Sequence, residues 1–178
     1  MASMIATAER IHQGADPTEQ ASSDLAGQVE ALLDGERDWL ANLANVVALL
    51  AWQLPDISWA GFYLWRQGEL ILGPFCGRPA CVRIARGRGV CGAAVVKRGS
   101  IVVENVDEFP GHIACDARSR SEIVVPLLLG SKLLGVLDID APNFARFDNS
   151  DRELLETIVR LVVGGTDWPE FVGLAKES

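Results

Sequence analysis

The chain predicts an α+β fold, with a central antiparallel-dominated sheet of about six strands and helices on both faces. Three observations carry this expectation. Glu122 to Leu129 and Lys132 to Asp140 flank Gly130-Ser131, a glycine-first pair suited to a type II′ hairpin turn. Both arms of that hairpin are apolar on both faces, as strands are when helices cover a sheet from two sides. Long stretches of helical apolar spacing sit near the two ends of the chain, with a short one between.

In chain order, Met1 to Ser22 is polar and broken by Gly14 and Pro17, which predicts a mobile tail over 1–22 and one domain over 23–178. Ser23 or Asp24 can cap a helix whose apolar positions are Leu25, Val29, Leu32 and Leu33, with Asp34-Gly35 breaking it. Trp39, Leu40, Leu43, Val46, Val47 and Leu50 extend the stripe to a stop at Pro55. Strands follow at Ile57 to Arg66 and Leu70 to Phe75, joined across Gln67-Gly68-Glu69, and a short one at Val82 to Ile84. Val90 to Lys97 reads as a helix and Ile101 to Glu104 as a strand. Asn105 to Arg120, with Pro110 and Gly111 and no periodicity, reads as a long functional loop. After the hairpin, Ser150-Asp151-Arg152-Glu153 has the form of a capping box for a helix from Asp151 to Val163, ended by Gly164-Gly165.

At 178 residues, 49% apolar and 22% charged, the chain has the size and composition of one ordinary globular domain. A net charge of -8 argues against a nucleic-acid partner, because the basic residues Arg78, Arg83, Arg86 and Arg88 are dense in one loop only. No apolar run approaches the roughly 20 residues that span a bilayer, and Met1 to Gly14 lacks the pattern of a secretory signal. A cytoplasmic location is therefore expected, where cysteines are reduced, catalytic or metal-bound more often than structural.

Gly87-Arg88-Gly89-Val90-Cys91-Gly92 fits the dinucleotide fingerprint, with Glu104 near the place of a ribose-binding acid. A Rossmann sheet needs further strand–helix–strand units, and here a long loop and an antiparallel hairpin follow instead. The glycines are read as a tight loop before a helix whose backbone N–H groups can receive a carboxylate as readily as a phosphate.

Cys76, Cys81, Cys91 and Cys115 contain no C-x-x-C pair, and His12 and His112 lie far apart, so no metal site is expected. For any one cysteine, burial as a small hydrophobe is the plain alternative. Context favours chemistry: Cys91 opens a helix after two glycines, and Cys81 and Cys115 lie in loops. Trp59-Ala60-Gly61-Phe62-Tyr63, Gly77-Arg78-Pro79-Ala80-Cys81, Gly87 to Gly92, Gly111-His112-Ile113-Ala114-Cys115-Asp116 and Gly135-Val136-Leu137-Asp138-Ile139-Asp140 together resemble the free methionine-(R)-sulfoxide reductases, over about Ser23 to Phe171. The resemblance implies a GAF-type catalytic domain, a homodimer, a free amino-acid sulfoxide as substrate and thioredoxin as electron donor; the thiol chemistry itself requires no bound redox cofactor. It matches the family cysteines to Cys81, Cys91 and Cys115 and leaves Cys76 incidental. By that match Cys115 attacks and Cys81 resolves, with Cys91 as the alternative attacker. Val90 and Cys91 are placed at the substrate. The sequence departs from the family pattern at Ala141, where a serine is common.

Thiol reduction of a sulfoxide needs a thiolate to attack sulfur while the oxygen gains a proton, leaving a sulfenic acid that a second thiol condenses to a disulfide. Thioredoxin then restores the thiols by exchange. Asp138 and Asp140 are two apart in a strand and share a face, so crowding in a pocket raises at least one pKa and supplies a neutral acid. The alternative is two solvated acids at a strand end. The resemblance adds Glu122, yet a regular hairpin pairs Glu122 with Ile139 and turns it to the other face. A bulge marked by Pro126, or a turn that takes in Lys132, reunites them. Trp59 and Tyr63 share a strand face and either wall a pocket around the S-methyl group or simply pack in the core. Against the enzyme stands a non-catalytic GAF module for small-ligand binding or redox sensing; three cysteines beside an acidic pocket favour the enzyme.

Overall fold

The structure, a computed structural model, describes residues 17–112 and 117–173. Helix α1 runs Pro17–Leu33, so it starts inside the stretch expected to be a tail, and Ser23 and Asp24 lie within the helix rather than at its cap. Proline suits a first helical position: its φ is preset, and its missing N–H would have had no partner there. Asp24 instead accepts a hydrogen bond from the Gln28 side chain at 2.7 Å. Gly35, at φ +75°, makes the break after α1. Asp38 caps α2 (Trp39–Gln53) by accepting from the Leu40 and Ala41 N–H groups, and Leu54, extended ahead of Pro55, ends it.

Strands β1 (Trp59–Arg66) and β2 (Glu69–Cys76) meet across Gln67 and Gly68, whose φ values of +52° and +87° mark a two-residue turn. Glu69 is therefore the first paired residue of β2, opposite Arg66, and not part of the turn. β3 (Arg83–Ala85), α3 (Gly89–Lys97), β4 (Ile101–Val103), a single 3-10 turn at Val106–Glu108, β5 (Ser121–Leu129), β6 (Lys132–Ala141) and α4 (Asn149–Gly165) complete the fold. The six strands lie in the order β3-β2-β1-β6-β5-β4, every neighbouring pair antiparallel. Among the described residues no helix is long and apolar enough to cross a membrane.

The α4 cap differs from the sequence expectation. Asp148, not Ser150, is the cap: its carboxylate accepts from the Asp151 N–H at 2.9 Å, and the Asp151 carboxylate accepts from the Asp148 N–H at 3.1 Å. Ser150 donates its hydroxyl to Asp148 and reinforces that cap. The helix takes in Gly164 and Gly165 as its last two residues and stops there. A Cβ on Gly165 would lie 3.2 Å from Leu33 Cδ1, so the glycine lets α1 pack closely.

The β5–β6 hairpin settles the register question. The turn is a regular pair, with Gly130 at φ +58° and Leu129 opposite Lys132. Leu128 pairs with Leu133 but Leu127 pairs with Gly135, which leaves Leu134 as one extra residue on β6. Beyond this bulge the register has moved by one, and Glu122 faces Asp140. The bulge is thus neither at Pro126 nor in the turn. Pro126 pairs in register with Val136, past the end of β4, whose pairing stops at Val124. Gly135 follows the bulge where β6 meets β1: a Cβ there would sit 2.1 Å from the Tyr63 carbonyl oxygen.

Alternation then sorts the side chains into two cores. Ala60, Phe62 and Leu64 of β1, with Ile123, Val125 and Leu127 of β5 and Leu137 and Ile139 of β6, join α1, α2 and α4 in the larger one. Trp59, Tyr63, Val124 and Val136 face α3 in the smaller one. Gly135→Ala is expected to cost about 1–3 kcal/mol by overpacking, because its opponent is backbone and cannot rotate away. Urea denaturation reads this as a lowered midpoint; an unchanged midpoint would mean that β1 and β6 are not so closely apposed.

Candidate active site

The smaller core opens into a pocket lined by Trp59, Tyr63, Gly89, Val90, Cys91, His112, Ser119, Glu122, Asp138 and Asp140, among others. The sheet register builds its floor. Trp59 of β1 lies opposite Asp140 of β6, Gly61 opposite Asp138, and Tyr63 opposite Val136. Glu122 of β5 flanks Asp140 from the other side. Three carboxyl residues on two neighbouring strands thus share the face that carries the two aromatic rings.

Gly61 makes room for the aromatic wall, since a Cβ there would lie 2.4 Å from the Trp59 ring. Trp59 stacks between Tyr63, at 5.9 Å between ring centroids, and Phe75, at 5.6 Å. Both polar tips of the wall are committed to one loop. Trp59 Nε1 donates to the Arg78 carbonyl at 3.0 Å, and the Tyr63 hydroxyl donates to the Cys81 carbonyl at 3.0 Å. Burial, then the nearby Asp138, pushes the Tyr63 pKa up, so the phenol stays a neutral donor. These two bonds fasten the Gly77–Cys81 loop over the pocket. Cys81 itself is disulfide-bonded, whereas Cys76, exposed at the end of β2, and Cys91, buried, carry free thiols. Cys115 lies outside the described residues.

Helix α3 forms another wall. The all-antiparallel sheet is not a Rossmann sheet, and Gly92 lets α3 pack closely: a Cβ there would meet the Ala85 carbonyl oxygen at 2.6 Å and Gly87 N at 2.9 Å. Arg88 is the N-cap and gives no side-chain cap bond. Cys91, in the first turn, is 3% exposed, yet it does not sit in a thiolate-stabilising setting. Burial, followed by the charges of Asp138 and Glu122, pushes its thiol well up. Burial, with the acids beside it, outweighs what a helix N-terminus offers a thiolate.

Glu122 and Asp138 are 6% and 7% exposed. The thiol of Cys91 is directed to Glu122 Oε1 at 4.0 Å, and Asp138, whose Oδ1 is buried without a partner, lies beside both. Burial first, then the neighbouring carboxyls, raises the pKa of Glu122 and of Asp138 well above the usual range. Two close carboxyls without a cation resolve their repulsion by holding a proton, which is how a neutral acid arises near neutral pH. One atom of each of Cys91, Glu122 and Asp138 falls within 4.8 Å of the others, the distance range of cation ligands, but these groups would first have to shed their protons.

The sequence brought Trp59, Tyr63, Val90, Cys91, Glu122, Asp138 and Asp140 forward, and all seven line this one pocket. It did not bring forward His112 or Ser119. His112 places Nε2 3.8 Å from Glu122 Oε2, and its pKa is lowered, chiefly by burial and against the pull of Asp107. Ser119 is 4% exposed with its hydroxyl unpaired. Both belong to the aperiodic loop before β5, and only its folding back toward the sheet reveals them.

The model of the GAF domain family matches residues 40–163. The chain is 49% identical to the free methionine-R-sulfoxide reductase of Escherichia coli, over 84% of this chain and 92% of that one. It is 44% identical to the free methionine-R-sulfoxide reductase of Saccharomyces cerevisiae, over 75% and 78% respectively. The free methionine-R-sulfoxide reductase of Neisseria meningitidis, solved in complex with its substrate, superposes with a TM-score of 0.81 at 42% identity, covering 88% of this chain and 94% of that one. With the register, the aromatic wall and the buried acids in place, the chain belongs to the GAF-domain family and, within it, to the free methionine-R-sulfoxide reductases.

Proposed function

We propose that the chain reduces free methionine-(R)-sulfoxide to methionine with Cys115 as nucleophile, Cys81 as resolving thiol, and thioredoxin as the reductant. The observation that carries this reading is the buried set of Glu122, Asp138 and Cys91 facing the Trp59–Tyr63 wall in one pocket. An oxygen bound to sulfur becomes transferable when it is protonated, and raised carboxyl pKa values provide that proton. The Cys115 thiolate attacks the sulfoxide sulfur and the oxygen takes a proton from the acid set; the hydroxyl then passes from the substrate sulfur to the Cys115 sulfur as methionine leaves, so that the substrate is reduced and Cys115 is oxidised to a sulfenic acid. The Cys81 thiol then condenses with that sulfenic acid to give a disulfide and one water. Two electrons from a dithiol such as thioredoxin restore both thiols by exchange.

Cys91 is given a supporting part. Its thiol is held neutral by burial and adjacent acids, which suits a wall of the substrate pocket better than a nucleophile. The disulfide-bonded state of Cys81, beside free thiols at Cys76 and Cys91, supports Cys81 as the redox partner. The substrate ammonium would pair with the acids, the S-methyl group with Trp59 and Tyr63, and the carboxylate with the N–H groups that open α3 at Val90 and Cys91.

NADPH oxidation coupled through thioredoxin tests the reading with both epimers, free and peptide-bound. Turnover is expected with the free R epimer alone. Cys115→Ser is expected to abolish sulfenate formation, and Cys81→Ser to allow one turnover that ends at the sulfenic acid. Loss of sulfenate in Cys91→Ser instead would move the nucleophile to Cys91.

The proton set also leaves a mark on stability. Glu122 and Asp138 have folded pKa values above their unfolded ones, near about 4, so their contribution is complete below about pH 4 and is lost as pH rises through the folded values. Wild type minus Glu122→Gln, followed by denaturant unfolding at several pH values, is therefore expected to show a stability difference that shifts against the wild type as pH rises. A pH-independent difference would mean that Glu122 is ionised in the folded state across the range.

A further inference from the structure

We infer that Ser119 is a further catalytic residue, whose hydroxyl donates a hydrogen bond to the sulfoxide oxygen and so distinguishes substrate from product. The inference rests on the function proposed above and adds a residue to that site. Ser119 is 4% exposed, lines the pocket beside Glu122, Asp138 and Asp140, and its Oγ is among the few buried polar side-chain atoms left without a partner. Buried hydroxyls in folded proteins are nearly always paired, because an unmade bond costs the full desolvation of the group. An unpaired one in the wall of a pocket points to a bond that the ligand completes.

Its place in the fold says which part of the ligand. The Arg120 N–H donates to the Ala141 carbonyl at 2.8 Å, which carries the pairing of β5 with β6 one step past Asp140. Ser119 is thereby held at the end of the sheet where Glu122 and Asp140 lie opposite each other, on the loop that also carries Cys115 in sequence.

Elimination among donors leads to the same atom. An amino-acid sulfoxide brings an ammonium, a carboxylate and a sulfoxide oxygen. The carboxylates of the set that remain ionised take up the ammonium, which needs acceptors, and they repel the carboxylate toward α3. The sulfoxide oxygen is a pure acceptor, and apart from the acid set that supplies its proton the buried side-chain donors of the pocket are engaged: Trp59 and Tyr63 bond the Arg78 and Cys81 carbonyls, and the Cys91 thiol is directed to Glu122. Arg78 and Arg88 stand exposed at the rim, and His112 faces Glu122. Ser119 keeps a proton to give at any pH. No covalent change occurs at Ser119; the proton that ends on oxygen comes from the acid set. Methionine lacks the oxygen, so the product leaves the hydroxyl unpaired again, which favours release.

The thioredoxin-coupled assay reads both halves of the inference in one experiment: kcat/KM for free methionine-(R)-sulfoxide, and the inhibition constant of added L-methionine as product. Ser119→Ala is expected to lower kcat/KM about ten-fold while leaving the methionine inhibition constant unchanged. Ser119→Thr, which restores a hydroxyl, is expected to recover most of the loss. The thermal midpoint of Ser119→Ala is expected to equal or exceed that of the wild type, since an unpaired buried hydroxyl has gone. Parallel losses in both constants would place Ser119 at the amino-acid head group or in a structural role and overturn the inference, as would an unaltered kcat/KM. A wild-type chain without turnover of the free sulfoxide would overturn the proposed function and this inference together, whereas turnover with an insensitive Ser119 overturns this inference alone.

Discussion

One extra residue in β6 sets the chemistry of this fold. Because strand side chains alternate, a shift of one position exchanges the two faces for everything beyond it. Leu134 supplies that shift between the hairpin turn and the acids, and it brings Glu122 opposite Asp140 on the face that also carries Trp59 and Tyr63. Without it, a regular hairpin would send Glu122 into the larger apolar core against the helices. There a carboxyl would find neither the pocket nor a partner. The bulge is tolerated because Gly135 lets β6 pass close to β1 directly after the irregularity.

The two faces of the sheet then divide the work. The larger core, built on α1, α2 and α4, buries a continuous set of aliphatic side chains and phenylalanines and carries most of the apolar stabilisation. The smaller core tolerates what a core ordinarily excludes: Glu122 and Asp138 nearly out of water, a buried thiol among them, and unpaired oxygens on Asp138 and Ser119. Such groups are unfavourable for folding and useful for binding, the usual relation between strain at a site and stability elsewhere. The aromatic wall connects the two requirements. Trp59 and Tyr63 pack as core residues while their polar tips hold the loop that carries Cys81.

Much of this was legible in the sequence, and the failures have definable causes. The hairpin turn, the six strands and both long helical stripes follow from periodicity and turn chemistry, which are local signals. The position of the bulge does not, because a run such as Leu127-Leu128-Leu129 facing Leu133-Leu134 is apolar in either register; only the acids at the far end reveal which one is right. The α4 cap was misplaced because Asp148 and Ser150 both suit a cap, and Ser150 ends up bonding to Asp148. The start of α1 at Pro17 was missed because a proline in a polar stretch reads as an interruption as readily as a first turn. Of the site residues, those on strands and on α3 were found because spacing places them. His112 and Ser119 lie in a loop with no period, where spacing says nothing about direction.

The central claim is that this buried acid set holds a proton at neutral pH. Infrared spectroscopy of the reduced protein measures it directly, because a protonated carboxyl has a carbonyl stretch separate from the carboxylate bands. The wild type is predicted to show that stretch at neutral pH, and Glu122→Gln or Asp138→Asn to lose it. A wild-type spectrum with every carboxyl ionised at neutral pH would contradict the account, since no neutral acid would then stand beside the sulfoxide.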